Sequence, residues 1–323
     1  MNNMRSDNCF VGIDTSNYTT SVAVVTSDGK VILNYKVPLP VRQGERGLRQ
    51  SDAVYAHIKN QPLAMSALSR VLKEYGLQPV AVGFSASPVN SSESFMPCFM
   101  CGRAFAETLA ASNGIPVYTY SHQEGHIAAA AFSATGSLDL LKEKLIAFHV
   151  SGGTTDIVTC SPDRFRFDTQ RIGGSSDLHA GQLIDRVAVM MGLSFPGGPA
   201  LERLASNVND FSDRVNVSVN GFNCNLSGGE NIAKNLYAKN GAEYTARYVL
   251  KYIATTLDKL SENLREIFSD LPILYSGGVM SNTYIKGVLR KRTNTYFAEP
   301  QYSADNAAGI ALLTRERFLS LDR

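Results

Sequence analysis

The sharpest chemical signal in this sequence is His122-Gln123-Glu124-Gly125-His126. If the segment is helical, residues i and i+4 share a face, so the two imidazoles can converge on one metal ion. The order differs from the zincin pattern, because glutamine and not glutamate follows the first histidine. A pair of surface or helix-start histidines is the plainer reading, but two of only five histidines lying four apart, directly after a strand end, favours the metal. His149 ends an apolar strand, one residue before Val150-Ser151-Gly152-Gly153. It fits either a hydrogen-bonded core residue or a site residue at the strand's C-terminal edge, where open α/β sheets bind ligands. Asp305 opens the last expected helix, where it reads as a capping or N1 carboxylate favoured by the helix dipole. It equally suits the hard oxygen ligand that completes a mixed His/Asp site.

Glycine supplies a second constellation. Of 26 glycines, ten fall in five Gly-Gly pairs, at 152–153, 173–174, 197–198, 228–229 and 277–278. Such pairs let the backbone approach a ligand closely. Ser151-Gly152-Gly153-Thr154-Thr155 reads as a strand, turn and strand whose N–H groups and hydroxyls can hold a phosphate or carboxylate. Ser276-Gly277-Gly278 follows a strand and opens onto a helix, a geometry that binds anions. Pro196-Gly197-Gly198-Pro199 is too rigid and glycine-rich for ordinary secondary structure, and Asp185 sits inside an apolar helix where it can meet ribose hydroxyls. Each is a tight turn on its own; together they point to a nucleotide. The pair at 173–174 remains a turn without a role. Cys98-Phe99-Met100-Cys101 has CxxC spacing but no second CxxC, so helix packing outweighs redox or metal use. Lys286, Arg290, Lys291 and Arg292 crowd one helix end, with solvation as the default and nucleic acid as the competitor.

The elements that position these residues alternate strand and helix. Strands are expected at Phe10–Asp14, Ser21–Thr26, Lys30–Val37, Val80–Phe84, Ile115–Tyr118, Leu145–Val150, Thr155–Cys160, Pro272–Ser276 and Thr295–Phe297. Helices are expected at Asp52–Tyr75, Phe99–Ala111, Ala180–Met191, Tyr244–Ser269, near Thr283–Lys291, and from Asp305. That alternation implies an α/β class with mostly parallel pairing. VGIDTSNYTTSVAVV and FHVSGGTTDIVTC share a Ser/Thr-rich turn between two short strands, which suggests internal duplication. The 323 residues allow two domains. With 31 Lys and Arg against 29 Asp and Glu, the net charge of +2 excludes binding driven by a global basic field. No run of 18 apolar residues occurs, and the apolar stretch after MNNMRSDNCF is too short for a secretory signal. Five scattered cysteines form no disulfide framework, so a reducing cytoplasm is expected.

In chain order, GIDTS…TSVAVV, SHQEGHIAAA, HVSGGTTDI, DLHAGQLIDRVAVMMGLSFPGGPALERLA, YSGGVMSN and ADNAAGIA resemble the TsaD/Kae/Gcp family, formerly called O-sialoglycoprotein endopeptidases, over nearly the whole chain. The resemblance implies the actin-like ATPase (ASKHA) fold, an α/β architecture of two RNase-H-like domains around a central cleft. The first domain would be 1–120 plus the C-terminal helix 305–323, and the second 121–304. It implies that His122, His126 and Asp305 hold iron or zinc, with His149 where some members place a further tyrosine ligand. Contacts to an adenine nucleotide or acyl-adenylate would come from Ser151, Gly152, Gly153, Thr154, Thr155, Asp185, Gly198, Glu202 (Asp in most of the family) and Asn282. The implied reaction is transfer of threonylcarbamoyl from threonylcarbamoyl-adenylate to adenosine in tRNA, the metal polarising the carbonyl. The implied partners are tRNA, a paralogous actin-like protein and a P-loop ATPase, with no membrane.

The chain also departs from the family. The Cys-Asp-Glu stretch after the first strand is replaced by Asn17, Tyr18 and Thr19, the Gly-Pro-Gly turn by Ser85-Ala86-Ser87-Pro88, and Ser-Gly-Leu-Lys by Ser227-Gly228-Gly229-Glu230. These departures suggest a divergent bacterial paralogue. Besides an acyltransferase, two alternatives are therefore carried: a non-catalytic paralogue that binds nucleotide and a partner protein, and a metallopeptidase. Glu124, lying between the two histidines, would point away from their face and serve the peptidase poorly as a base.

Overall fold

The structure is a computed structural model that describes residues 5–40, 48–91, 93–163, 166–208, 211–303 and 307–321. The chain divides into two compact units, 1–143 with 161–169 and 304–323, and 144–160 with 170–303. The first closes at Glu143 and not near residue 120, so the His122–His126 segment belongs to unit 1 and not to the second domain expected from the sequence. Its helix is continuous with the strand before it, and that strand is hydrogen-bonded into the first sheet.

Unit 1 runs β1 (Asn8–Thr15), β2 (Thr19–Thr26), β3 (Val31–Pro38), α1 (Gln50–Tyr75), β4 (Gln78–Ser87), α2 (Phe99–Asn113), β5 (Val117–Ser121) and α3 (His122–Thr135). The sheet order is β3-β2-β1-β4-β5; the first three strands are antiparallel, while β4 and β5 continue parallel to β1. A central strand covered on both faces needs apolar residues in succession, not alternation, and β1 is buried almost throughout. Val11, Ile13, Val22, Val24, Leu68, Val82, Phe84 and Phe105 make its core.

Unit 2 follows with β6 (Leu145–Val150), β7 (Thr155–Asp163) and β8 (Arg166–Ser175), of which residues 161–169 count with unit 1, then α4 (Ala180–Met190), α5 (Gly198–Ser206), β9 (Ser218–Asn220), β10 (Asn223–Asn225), α6 (Ser227–Ile267), β11 (Ile273–Ser276), α7 (Thr283–Leu289), β12 (Thr295–Phe297) and α8 (Pro300–Ser303). Its sheet order is β12-β11-β6-β7-β8-β10-β9. Read from β8 to β12, this repeats unit 1 strand for strand: an antiparallel β6-β7 pair beside β8, then β11 and β12 parallel to β6. The short repeat in the sequence thus marks a duplicated topology, with β9 and β10 added at one edge. Phe148, Tyr275 and Phe297 stack in series across β6, β11 and β12, with centroids 4.8 and 5.0 Å apart. The chain ends in α9 (Ala308–Leu321), which packs on β1, β2 and β4 of unit 1.

Several elements differ from expectation, among them α3, β9, β10 and α8, which the expected strands and helices do not include. Pro196-Gly197-Gly198-Pro199 does enter regular structure: α5 starts at Gly198 with Pro199 in its first turn, where a fixed φ and a missing N–H cost nothing. The long helix begins at Ser227, and Gly241 (φ 81, ψ −176) breaks it just before the segment expected from Tyr244. β8 carries no strict alternation and was not anticipated. Among the described residues, no helix is long and apolar enough to cross a membrane.

Candidate functional site

In unit 1 the parallel strands β1, β4 and β5 end along one sheet edge, bringing Asp14, Ser85 and Ser121 to the side where such sheets hold ligands. Ser121 caps α3: its hydroxyl accepts the Glu124 N–H at 3.2 Å, and Glu124 Oε2 accepts the Ser121 N–H at 2.6 Å. This capping box forces the helix to begin at His122, so His126 falls one turn along the same face. The two Nε2 atoms are 2.9 Å apart. His122 Nδ1 lies 2.8 Å from Asp14 Oδ1, which also accepts the Ser85 hydroxyl at 2.5 Å. Asp14 is 1% exposed, and its Oδ2 is buried without a hydrogen-bond partner among the described residues.

Glu124 points away from the histidines, as the helical geometry requires. It is fully buried, and Arg166 grips it through Nε at 2.9 Å and a terminal nitrogen at 2.7 Å.

The His pair fits a shared ion. Both Nε2 atoms are imidazole nitrogens, the donor type that iron and zinc take, and they lie 2.9 Å apart on one helix face. Asp305 lies outside the described residues. His149 lies in unit 2, its Nδ1 3.5 Å from the Ser276 hydroxyl. Among the described residues, no group of three or more His, Cys, Asp or Glu side chains is placed to hold a metal.

Two residues beside this edge escaped the sequence reading. One is Asp14, whose only signal is a carboxylate in an otherwise apolar strand. The other is His57 of α1, which the helical period places with Ala53, Ala56 and Ala64 on the buried face. Because the Ser16 carbonyl can only accept, His57 Nε2 donates to it at 2.9 Å, and Nδ1 accepts the Thr20 hydroxyl at 2.8 Å. Burial lowers the His57 pKa. The segment in place of the family's acidic pair is pinned by neutral groups: Asn17 Oδ1 accepts from Gln50 Nε2 at 2.8 Å, and Gln50 Oε1 accepts the Cys98 N–H at 3.2 Å. Cys98 and Cys101 are both buried, and burial pushes the Cys98 thiol up to about 12 and Cys101 upward as well. Reactive thiols need the opposite shift, so the CxxC is helix packing.

In unit 2, contacts join the expected nucleotide residues in a closed circuit. The Ser151–Thr155 turn meets the start of α4: Ser151 O accepts the Gly181 N–H at 3.0 Å, and Thr155 Oγ1 accepts the Ala180 N–H at 2.9 Å. One turn along α4, Asp185 Oδ1 accepts the Gly197 N–H at 2.8 Å; partial burial raises the Asp185 pKa, against that bond. Gly198 opens α5, and one turn further Glu202 Oε1 accepts the Thr283 N–H at 2.8 Å and its hydroxyl at 2.5 Å. Asn282 caps α7 through Ile285 N–H at 3.0 Å. Gly277 closes the circuit: it has φ +97, and a Cβ there would lie 2.3 Å from the Val150 carbonyl at the end of β6. Glu202 and Asn282 therefore also hold α7 in place.

The circuit has room for a ligand. At Gly152, Gly153, Gly198 and Gly278 a Cβ would meet no heavy atom of the described residues within 4 Å. Ser151 Oγ takes the Gly153 and Thr154 N–H groups at 3.2 and 3.1 Å, which holds the turn in shape.

The basic cluster divides. Arg292 pairs with Asp258 at 2.5 Å, while Lys286 and Arg290 lie over the Phe297 ring. Asp177 holds the start of α6, accepting from Leu226 N at 2.7 Å and Ser227 N at 3.2 Å, so the pair at 228–229 begins a helix.

The duplicated sheet places the chain among proteins of the actin-like ATPase fold. Solved structures with that fold include the HypF of T. kodakarensis (TM-score 0.62, 12% identity, 98% of this chain and 48% of that chain). Another is a ROK family glucokinase from Streptomyces griseus (TM-score 0.55, 15% identity, 95% and 99%). Within this class the chain belongs to the TsaD family, described as tRNA N6-adenosine threonylcarbamoyltransferase, which matches residues 95–312. Relatives of that name include one from Thermus thermophilus at 30% identity over 95% of this chain and 92% of its own length. One from Methanopyrus kandleri is 26% identical over 96% and 89%. One from Porphyromonas gingivalis is 27% identical over 99% and 96%.

Proposed function

We propose that this protein transfers the threonylcarbamoyl group of threonylcarbamoyl-adenylate to the N6 amine of adenosine in tRNA, a separate enzyme making the adenylate. The observation that carries the reading is that the family match, residues 95–312, takes in both the His122–His126 pair and the whole circuit of unit 2. In the reaction the adenosine amine attacks the carbamoyl carbon, the C–N bond forms, the bond to the phosphate oxygen breaks, and AMP leaves as one N6 proton is released. The adenylate would lie against the open glycine faces of Gly152, Gly153 and Gly198. Ser151, Thr154 and Thr155 would hold that turn in shape, and the Gly152 N–H would face the phosphate. Asp185 would accept from ribose hydroxyls, while Glu202 and Asn282 would fix the α7 side. His122, His126 and Asp305 would hold one divalent ion, iron or zinc. Such an ion supplies Lewis-acid polarisation of the carbonyl.

Neither alternative draws support from the relatives. The relatives named above are called transferases, and Glu124, the carboxylate between the two histidines, is buried and engaged by Ser121 and Arg166, so it would not serve a peptidase as base. With a net charge of +2, tRNA would bind through a local patch or the surface of a partner, for which a paralogous actin-like protein and a P-loop ATPase are the candidates. The compartment would be the cytoplasm.

The test supplies threonylcarbamoyl-adenylate and unmodified tRNA, with and without those partners, and digests the tRNA to nucleosides. Modified adenosine is expected from the wild type and is expected to fall at least about a hundredfold in His122→Ala, the scale of losing a key electrostatic group. Absence of product even with the partners present would overturn the reading. In parallel, metal analysis should find about one tightly held ion that His122→Ala and Asp305→Ala both lose.

A further inference from the structure

We propose that Asp14 is the positioning residue of the His122–His126 pair: it fixes which nitrogen of His122 carries the proton, and so which one can take a metal ion. The inference rests on the metal reading above for its purpose, but its geometry stands by itself. Asp14 is buried at the end of β1, and among the described residues no Lys or Arg pairs with it. One carboxylate oxygen, Oδ1, meets both Ser85 Oγ at 2.5 Å and His122 Nδ1 at 2.8 Å. The other oxygen has no hydrogen-bond partner among the described residues.

A carboxylate can only accept, so His122 must present Nδ1–H to Asp14. Its Nε2 then carries the lone pair, directed at His126 Nε2 2.9 Å away. In the metal-free state His126 donates its Nε2–H into that lone pair, giving a directed series of donors from His126 to His122 to Asp14. Metal binding at the two Nε2 atoms requires His126 to give up its Nε2 proton but requires no change at His122. Ser85 keeps the carboxylate from turning, and among the described residues no Lys or Arg competes with His122 for it. The sheet topology is what permits this, since β1, β4 and β5 end side by side and bring residues 14, 85 and 122 to one edge.

The experiment has two readouts on the full-length chain. In the metal-free protein, nitrogen-15 spectra of the imidazoles should show His122 with Nδ1 protonated and Nε2 bare, and Asp14→Asn should replace this with a mixture of tautomers. In competition with a chromophoric chelator, zinc affinity should fall about 10–100-fold in Asp14→Asn, the usual effect of removing a carboxylate behind a metal-bound histidine. Ser85→Ala should give a smaller loss of the same kind, and it decides the question if Asp14→Asn does not fold. The proposal is overturned if wild-type His122 carries its proton on Nε2, or if the variants keep both the wild-type spectrum and the wild-type affinity. If the wild type binds no zinc, the metal reading fails, while the imidazole spectra still decide whether Asp14 sets the tautomer.

Discussion

Gly181 and Gly152 face each other where α4 meets the Ser151–Thr155 turn, and substituting each with alanine should separate stability from ligand binding. A Cβ on Gly181 would sit 2.6 Å from Gly152 N and 2.7 Å from two further backbone atoms. Ordinary contact begins near 3.4 Å, so helix and turn must part by 3.4 − 2.6 = 0.8 Å. The obstacle is backbone, which cannot swing aside, so the overpacking cost belongs at the upper end of about 1–3 kcal/mol. The movement also stretches the Gly181 and Ala180 hydrogen bonds to the turn, now 3.0 and 2.9 Å. Against this, alanine gains up to about 1 kcal/mol of helix propensity. The net expectation is a loss of about 2 kcal/mol, or about 4–8 °C in the melting of unit 2 at about 2–4 °C per kcal/mol. Gly152→Ala adds a methyl where no described atom lies within 4 Å, so its stability should stay within about 0.5 kcal/mol of the wild type. The same methyl would fill ligand space, and AMP affinity measured by calorimetry should fall by on the order of tenfold, about 1.4 kcal/mol. A Gly181→Ala protein as stable as wild type would refute the packing argument. A Gly152→Ala protein that binds AMP normally would refute placing the ligand at this turn.

Further outcomes follow from the same geometry. Glu124→Gln should lower stability by about 2–3 kcal/mol in urea titrations, near the low end for breaking a buried pair because Arg166 retains some solvent contact; a loss below about 1 kcal/mol would show the clamp to be dispensable. Asp177 has its pKa lowered to about 2: partial burial opposes the shift, but hydrogen bonds from Ser227, Leu226 and Leu178 outweigh it. Its contribution should therefore be complete above its ordinary value of 3.8 and disappear as pH falls through about 2. The melting-temperature gap between wild type and Asp177→Asn should accordingly close between those limits; a gap constant to pH 2 contradicts the assignment. All five cysteines are buried. Ellman's reagent should thus find almost no thiol in the native protein and five after denaturation, whereas a fast native titre of two would revive a redox role for Cys98 and Cys101.

Much of this protein is legible in the sequence because its signals are local. The apolar strands Leu145–Val150 and Thr155–Cys160 and the turn at Ser151–Thr155 follow from apolar runs and small-residue turns, all set within a few positions. The i, i+4 spacing of His122 and His126 fixes their common face before any packing is known. Local signals fail where tertiary contact sets the answer. Pro199 reads as a breaker but serves as a helix start once Gly197 is anchored by Asp185, and the boundary of unit 1 falls at Glu143 because β5 delivers α3 to its sheet.

By itself, the sequence determined the α/β class, the histidine pair and the glycine turns, since each depends on neighbours in the chain. Only the tertiary structure decided that Asp14 stands behind His122, that His57 is buried against Ser16 and Thr20, and that Glu124 belongs to Arg166. The same holds for the circuit through Gly181, Asp185, Glu202 and Gly277. Asp14 and His122 alone lie 108 residues apart. Strand order and the parallel register of β1, β4 and β5 bring them together, and neither propensity nor spacing along the chain encodes which strand ends become neighbours.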